Sequence, residues 1–303
     1  TWVESAPRVP RWVTTPLFSG CLPKAGGAAV SVYFVMAAVA VLLLVLWMAS
    51  GPLRTAWRRQ RLRSQPFPAE WRDILRRRVP YFRQMPVDLQ LQLKRHIQVF
   101  MAEKPFIGCA GLVVTDEIRV TIAAQACLLL LNRRTGYYPQ LRQVLVYPAA
   151  FLVQRSQHDG AVQHEQRHAL AGESWSQGQV ILSWDDALQG ATTVGDGRNV
   201  VIHEFAHQLD QENGDANGAP YLGGGAARLQ RWSQVLGDAF AQLQAQLQRG
   251  EPTLLDGYGA TNPAEFFAVV SEVFFEQAPE LSQVHPALYA ELRAFYRVDP
   301  LSW

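Results

Sequence analysis

The stretch VVIHEFAHQLD, residues 200–210, places two histidines four positions apart in an apolar setting. Four helical steps of about 100° bring a side chain back to within about 40° of its starting direction, so His203 and His207 point to the same side. Both imidazoles can therefore reach one tetrahedral Zn²⁺ ion. Glu204 follows His203 directly and lies beside the metal, where a general base for a metal-activated water is needed.

A second copy of the H-E-x-x-H pattern, His164 to His168, lies in a polar stretch. Arg167 stands between its histidines, where a positive charge repels a metal ion. The preceding residues 156–160 (SQHDG) are typical of a turn. The copy at 203–207 is instead embedded in apolar residues, as a buried metal helix requires. We therefore predict that the metal site lies at 203–207 and that residues 164–168 form a surface loop.

The helix around His203 has recognisable ends. After a Gly-Asp-Gly loop, either Asp196 or Asn199 is available as the N-cap, and Asn213-Gly214 closes the helix. Asp210 follows His207 by three residues on roughly the same face. It is expected either to orient a ligand histidine or to be an exposed acidic residue near the helix end.

A catalytic zinc site has three protein ligands and one open position. The best source of the third ligand is the segment YGATNPAEFF, residues 258–267. Asn262 as N-cap, Pro263 at the first position and Glu265 at the third make a strong helix start. Glu265 is then either the ligand or only the capping glutamate, in which case Glu272, two turns later, is the ligand. The residues alone leave both open.

The chain from about Trp71 to Trp303 contains four segments that are more specific than H-E-x-x-H. They are 144–151 (VLVYPAAF), 172–178 (GESWSQG), 202–210 with Asn213-Gly214-Asp215, and 262–275. In these segments the chain resembles the Mlc titration factor A family of bacterial zinc-dependent peptidases. That family is of the gluzincin type, and its zincin-like core is related to the catalytic domain of anthrax lethal factor.

The resemblance implies a fold and a ligand set. It implies an α+β, zincin-like metallopeptidase domain in which Glu265 joins His203 and His207 on Zn²⁺. It also implies that Tyr258 faces the metal, where its hydroxyl could stabilise the oxyanion; the alternative is a structural tyrosine. Glu204 is then the catalytic base, and the segment at 164–168 corresponds to a variable loop.

The resemblance also offers a second function. Family members are linked to binding and inactivating a transcriptional repressor of sugar uptake, so a regulatory binding protein with secondary peptidase activity is the alternative. Glu204 favours an enzyme acting on a peptide or protein substrate, because a pure binder has no use for a general base. A purely structural zinc site is disfavoured, because two histidines, one glutamate and a water form a catalytic composition. The sequence does not decide between an aminopeptidase and an endopeptidase.

Composition agrees with an enzyme domain. The chain has 303 residues, of which 49% are hydrophobic, enough to bury a large core. Its net charge of +2 argues against direct nucleic-acid binding. Three cysteines, Cys21, Cys109 and Cys127, without metal or redox spacing indicate a reducing compartment.

The N-terminal region differs from the rest. No charged residue lies between Lys24 and Arg54, and the stretch 30–50 is long and apolar enough to be a transmembrane helix. A cleaved signal peptide is the rival interpretation, but five arginines at 54–63 follow instead of a small-residue cleavage site. These arginines predict that the C-terminal side of the span lies in the cytoplasm. The chain is then expected to be a single-pass protein of the inner membrane. The family's best-known members lack such a span.

The expected organisation follows from these observations. Residues 1–29 are expected to be disordered, 30–50 to span the membrane, 51–68 to form a basic juxtamembrane linker and 69–303 to form the zinc metallopeptidase domain. Within that domain we expect the following elements: helices at 69–79, 86–103, 115–131, 200–210, 226–249, from 262 and at 286–297, and strands at 144–153 and 179–184.

Overall fold

The computed structural model describes residues 27–134, 136–149 and 178–303. The H-E-x-x-H copy at 164–168, the segment at 172–177 and Cys21 lie outside these residues. The surface loop expected at 164–168 therefore stays a prediction. The chain divides into two compact units, one ending at Trp57 and the other running from Arg58 to Trp303.

The first unit contains a long apolar helix, α1 (Gly27–Ala49). Its portion from Val32 to Ala49 has the length and composition to cross a membrane, and none of that portion is buried against protein. The helix therefore agrees with the predicted span, although length and composition are also those of a signal sequence.

The segment expected to be a basic linker contains a helix, α2 (Gly51–Ser64), whose last turns belong to the second unit. Arg59 forms a bidentate ion pair with Glu103, at 2.7 and 2.8 Å. Arg63 donates to the hydroxyl of Tyr137 at 2.8 Å, and the guanidinium of Arg59 lies over the same ring. The second unit thus begins before residue 69 and includes the C-terminal half of α2.

A small parallel sheet lies within the second unit. Its strands are β1 (Phe106–Gly108), β2 (Gln143–Tyr147) and β3 (Gln179–Ser183), in the order β1-β2-β3. Val144 and Val146 of β2 are buried, as expected of alternate residues on a half-covered sheet. β2 ends at Tyr147, before Pro148, which has no backbone N–H to donate. The strand expected to reach 153 is therefore shorter among the described residues.

Helices make up most of the rest of the second unit, so that the described part of the chain is a mixed, mainly helical fold. They are α3 (Ala69–Arg78), α4 (Val87–Glu103), α5 (Asp116–Leu128), α6 (Trp184–Thr192), α7 (Val200–Asp210), α8 (Ala226–Gln248), α9 (Pro263–Glu276), α10 (Ala278–Val284) and α11 (Pro286–Tyr296). The predicted helices are all present, with ends that differ by up to three residues. Cys127 is fully buried in α5, as expected of a core residue.

Helix α7 lies at the centre of the core and packs closely against α9. Every residue from Val201 to Asp210 is buried. On one side, Phe205 meets the ring of Tyr138 with centroids 4.8 Å apart. Tyr138 and its neighbour Tyr137 both have left-handed backbone conformations, with φ of 55° and 57°. The ammonium group of buried Lys104 donates to the carbonyl of Tyr138 at 2.6 Å, which holds this turn against α7.

Candidate metal centre

The cap of helix α7 fixes the direction of its two histidines. The side chain of Asn199 accepts the N–H of Ile202 at 3.0 Å, so Asn199, and not Asp196, is the N-cap. His203 and His207 then lie one turn apart on the same face, and their Nε2 atoms are 3.2 Å apart. The four-residue spacing predicted this convergence.

The start of helix α9 brings a carboxylate to the same place. Asn262 accepts the backbone N–H groups of Ala264 and Glu265, both at 3.0 Å, and Pro263 occupies the first helical position. The Oε2 of Glu265 lies 3.0 Å from Nε2 of His203 and 3.3 Å from Nε2 of His207. The helix start predicted from the sequence therefore places Glu265 opposite the two histidines.

These three side chains fit a metal ion by their chemistry and spacing. Their donor atoms lie within 4.8 Å of one another, and all three residues are buried. Metal–ligand bonds of about 2.0–2.2 Å in a tetrahedral site place neighbouring donors about 3.3 Å apart, close to the separations seen here. Two imidazoles and one carboxylate also leave one tetrahedral position open.

In this cluster, burial and the neighbouring groups shift the pKa values of His203 and Glu265 in opposite directions. Burial lowers the pKa of His203, but the nearby carboxylates of Glu272 and Glu265 outweigh burial and raise it well above the usual value. Burial raises the pKa of Glu265, but hydrogen bonds with His203 and His207 outweigh it, so the pKa lies below the usual range. The site thus favours a positive charge next to an ionised carboxylate, which is the charge pattern that a bound cation provides.

Glu272 contacts His203 on the side of the ring that faces away from Glu265. Its Oε1 lies 2.7 Å from Nδ1 of His203, and its Oε2 accepts the backbone N–H of Asn199 at 2.6 Å. A carboxylate on Nδ1 directs Nε2 toward Glu265 and fixes the orientation of the ring. Glu272 therefore contacts the far nitrogen of His203, whereas Glu265 is the glutamate that converges on both Nε2 atoms.

A second glutamate extends this support by one helical turn. Glu276 accepts from the side chain of Asn199 at 3.1 Å and from the backbone of Gly195 at 3.2 Å. Its pKa is raised to about 7, mainly by burial and in smaller part by the charges of Asp196 and Glu272, although these hydrogen bonds lower it. Glu276 was not predicted from the sequence. The signal was present as glutamates at positions 265, 272 and 276, which share one face of an otherwise apolar helix.

Glu204 and Tyr258 both lie next to His203. Glu204 is buried, and its charge contributes to the raised pKa of His203. Tyr258 lies in the short 3-10 helix Gly257–Ala260, whose first turn is capped by Asp256. Its ring centroid is 6.2 Å from that of His203, and the residue is half-buried. Both residues therefore lie next to His203, and their catalytic roles stay predictions.

Asp210 does not have the exposed position that was one of its two expected roles, and its orienting of a ligand histidine stays a prediction. It is fully buried, so it is not an exposed residue at the helix end. Its Oδ2 accepts the backbone N–H of Gly218 at 2.7 Å, which ties it to the loop after α7. Burial raises its pKa to about 6, although the backbone hydrogen bonds of residues 217–219 lower it. The helix itself ends at Asp210, and a 3-10 turn leads to Gly214.

Comparison with known proteins identifies the family. Residues 54–297 match the family described as glucose-regulated metallo-peptidase M90. The chain is 45% identical over 247 residues to an uncharacterized protein of Synechocystis sp., covering 81% of this chain and 90% of the relative.

Two further relatives bear the name Mlc titration factor A. The one from Klebsiella pneumoniae is 36% identical over 229 residues, covering 74% of this chain and 84% of the relative. The one from Salmonella agona is 34% identical over 254 residues, covering 82% of this chain and 92% of the relative. These matches confirm the resemblance drawn from the four sequence segments, and the chain belongs to the glucose-regulated metallo-peptidase M90 family.

Proposed function

We propose that this chain is a membrane-anchored, zinc-dependent metallopeptidase with a zincin-like catalytic domain. The observation that carries the proposal is the convergence of His203, His207 and Glu265 in a buried site, next to the buried carboxylate of Glu204. Two imidazoles and a carboxylate with an open position are a composition typical of catalytic zinc. A purely structural site has no need for a further acidic residue beside its ligands.

The residues divide the chemistry of peptide hydrolysis among them. When bound, the zinc ion supplies Lewis acidity, which polarises the substrate carbonyl and lowers the pKa of a water molecule toward about 7. The carboxylate of Glu204 accepts a proton from the attacking water and delivers it to the leaving amine nitrogen. The hydroxyl of Tyr258 donates a hydrogen bond to the substrate's carbonyl oxygen as negative charge develops there. Glu272 holds the ring of His203 in the orientation that this arrangement requires.

The apolar helix α1 supports the membrane part of the proposal. Five arginines at 54–63 follow this helix, and by the positive-inside rule they support an orientation with the catalytic domain in the cytoplasm. Arg59 and Arg63 are bound to Glu103 and Tyr137, so we do not count these two among the arginines that attract anionic headgroups. Such an attraction contributes about 1 kcal/mol per residue near the surface. The anchor would confine the enzyme to substrates near the membrane.

The name of the relatives supports a second candidate function. Proteins called Mlc titration factor A are 34–36% identical to this chain, which makes binding of a transcriptional repressor an alternative to peptide hydrolysis. The two functions differ in their need for Glu204. Binding does not require a general base, whereas hydrolysis does.

The test is metal content combined with cleavage of a peptide library by the full chain in detergent. We expect one zinc ion per chain and cleavage that stops when a chelator removes the metal. Products released one residue at a time from the N-terminus would identify an aminopeptidase, and internal cuts an endopeptidase. A protein that binds zinc but cleaves no peptide would contradict the enzyme and favour the regulatory alternative.

A further inference from the structure

Gly218, in the glycine-rich loop between α7 and α8, touches three helices at once. Its backbone N–H donates to Oδ2 of Asp210 at the end of α7, at 2.7 Å. Its carbonyl accepts from Nε1 of Trp232, a buried residue of α8, at 2.9 Å. Both backbone polar groups of Gly218 are thus used to hold the loop between the two helices.

The third side of Gly218 lies against the start of α9. A Cβ atom at Gly218 would come within 2.4 Å of the carbonyl oxygen of Pro263 and 2.8 Å of its carbonyl carbon. Such distances are far below van der Waals contact, and the neighbour is backbone, which cannot rotate away. The backbone of Gly218 also has φ of 77°, a conformation that favours glycine.

These contacts join the two helices that carry the candidate ligands. Asp210 follows His207 by three residues, and Pro263 precedes Glu265 by two. Between them, Nε2 of His207 and Oε2 of Glu265 are 3.3 Å apart. We propose that Gly218 is a positioning residue for the metal centre, because it sets the separation between the end of α7 and the start of α9. The proposal rests on the proposed metal site.

The size of the residue at position 218 matters because a metal site tolerates only small errors in the distances between its ligands. A metal site needs ligand distances within about 0.2 Å of their proper values. Relieving a 2.4 Å contact demands a movement larger than that, and the first turn of α9 is the part that would move. Trp232 limits movement in other directions, because its ring also packs against Phe267 of α9, with centroids 5.8 Å apart. A methyl group at Gly218 would therefore displace Glu265 relative to the histidines.

The decisive experiment compares Gly218→Ala with Gly225→Ala in the full chain, purified in detergent. Gly225 is a matched control, because its φ of 79° is close to the 77° of Gly218 while no atom lies within 4 Å of a Cβ placed there. Zinc affinity is measured by competition with a chelator, and the coordination geometry by the visible absorption of the Co²⁺-loaded protein. We expect Gly218→Ala to bind zinc at least 10-fold more weakly than Gly225→Ala and to show an altered Co²⁺ spectrum.

The outcomes separate the inference from the proposed function. Equal zinc affinities and Co²⁺ spectra for the two variants would overturn the positioning role while leaving the metal site intact. A wild-type chain that binds neither zinc nor Co²⁺ would overturn the metal site itself.

A second variant covers the case in which Gly218→Ala fails to fold. Trp232→Phe keeps an aromatic ring but removes the donor to the carbonyl of Gly218. We expect this variant to weaken zinc binding several-fold and to alter the Co²⁺ spectrum, whereas wild-type values for both would overturn the inference.

Discussion

Nδ1 of His203 lies 2.7 Å from Oε1 of Glu272, while Nε2 of the same ring lies 3.0 Å from Oε2 of Glu265. The two glutamates therefore contact opposite nitrogens of one imidazole, and Glu265 also approaches Nε2 of His207, at 3.3 Å. Their side chains are chemically identical, but their geometry assigns one to the metal and the other to the support of a ligand.

This geometry predicts different effects for the same substitution at the two glutamates. Glu265→Gln removes an anionic ligand and should abolish tight zinc binding. Glu272→Gln removes only the charge that supports His203, so zinc affinity should fall by roughly 10- to 100-fold. Chelator competition measures both affinities. If Glu272→Gln lowered zinc affinity as much as Glu265→Gln does, Glu272 could not be assigned a merely supporting role.

Glu204→Gln should separate catalysis from metal binding. The substitution preserves the size of a buried side chain and leaves the three candidate ligands in place. We expect zinc content to stay at the wild-type level while the rate of peptide hydrolysis falls by roughly 10²-fold or more. The measurement is turnover of a peptide found in the library screen. Unchanged turnover would remove Glu204 from the mechanism.

Tyr258→Phe tests the hydroxyl beside His203. If this hydroxyl stabilises the developing oxyanion, its removal should raise the activation barrier by about 2–4 kcal/mol, mainly through kcat. Zinc content and thermal stability should stay unchanged, because the aromatic ring remains packed. A variant with full activity, or one that loses its fold, would favour the structural role of Tyr258.

The raised pKa of Glu276 predicts that the free energy of unfolding depends on pH. Its pKa in the folded chain is raised to about 7 from 4.5, so between these values the folded state holds a proton that the unfolded state has released. The stability that this group contributes is therefore fully present below pH 4.5 and is lost as the pH rises to about 7, on the order of 3 kcal/mol. Glu276→Gln should become more stable relative to wild type across this interval.

Denaturant unfolding of the chelator-treated chain at pH 5 and pH 8 measures this difference. The control is Glu280→Gln, an exposed glutamate on the neighbouring helix α10, which should show no such change. If the relative stability of Glu276→Gln were the same at both pH values, the carboxyl would be ionised throughout.

The topology of the anchor predicts a protection pattern. With α1 spanning the membrane and its C-terminal side in the cytoplasm, protease added to intact spheroplasts should leave the catalytic domain uncut. Lysis should expose it. Digestion without lysis would mean the opposite orientation, and recovery of the full chain in the soluble fraction would rule out an anchor.

The parts of the site that lie within one helix were predictable from sequence. His203 and His207 follow from helical periodicity, and Asn262, Pro263 and Glu265 follow from the rules of helix starts. These rules connect residues a few positions apart, where the local backbone alone sets the geometry. The choice between Glu265 and Glu272 needed the family resemblance, because both point from the same face of α9.

The parts that join distant segments were not predictable. Glu272 meets His203 across 69 positions, and Arg59 meets Glu103 across 44. No local pattern encodes such pairings, because they depend on how the helices pack. In the sequence, nothing distinguishes Gly218 from the other glycines of its glycine-rich loop. Its close approach to Pro263 depends on the three-dimensional packing of the chain.

The attachment of α2 through Arg59 and Arg63 also determines where a fragment that contains the second unit can begin. A fragment that begins at residue 66 or 69 would lose both arginines, and with them the ion pair of Arg59 with Glu103 and the hydrogen bond from Arg63 to the hydroxyl of Tyr137. Tyr137 adjoins Tyr138, whose ring contacts Phe205 between the two histidines. We therefore expect a fragment that begins before Arg58 to keep these contacts next to helix α7, and one that begins after Ser64 to lose them.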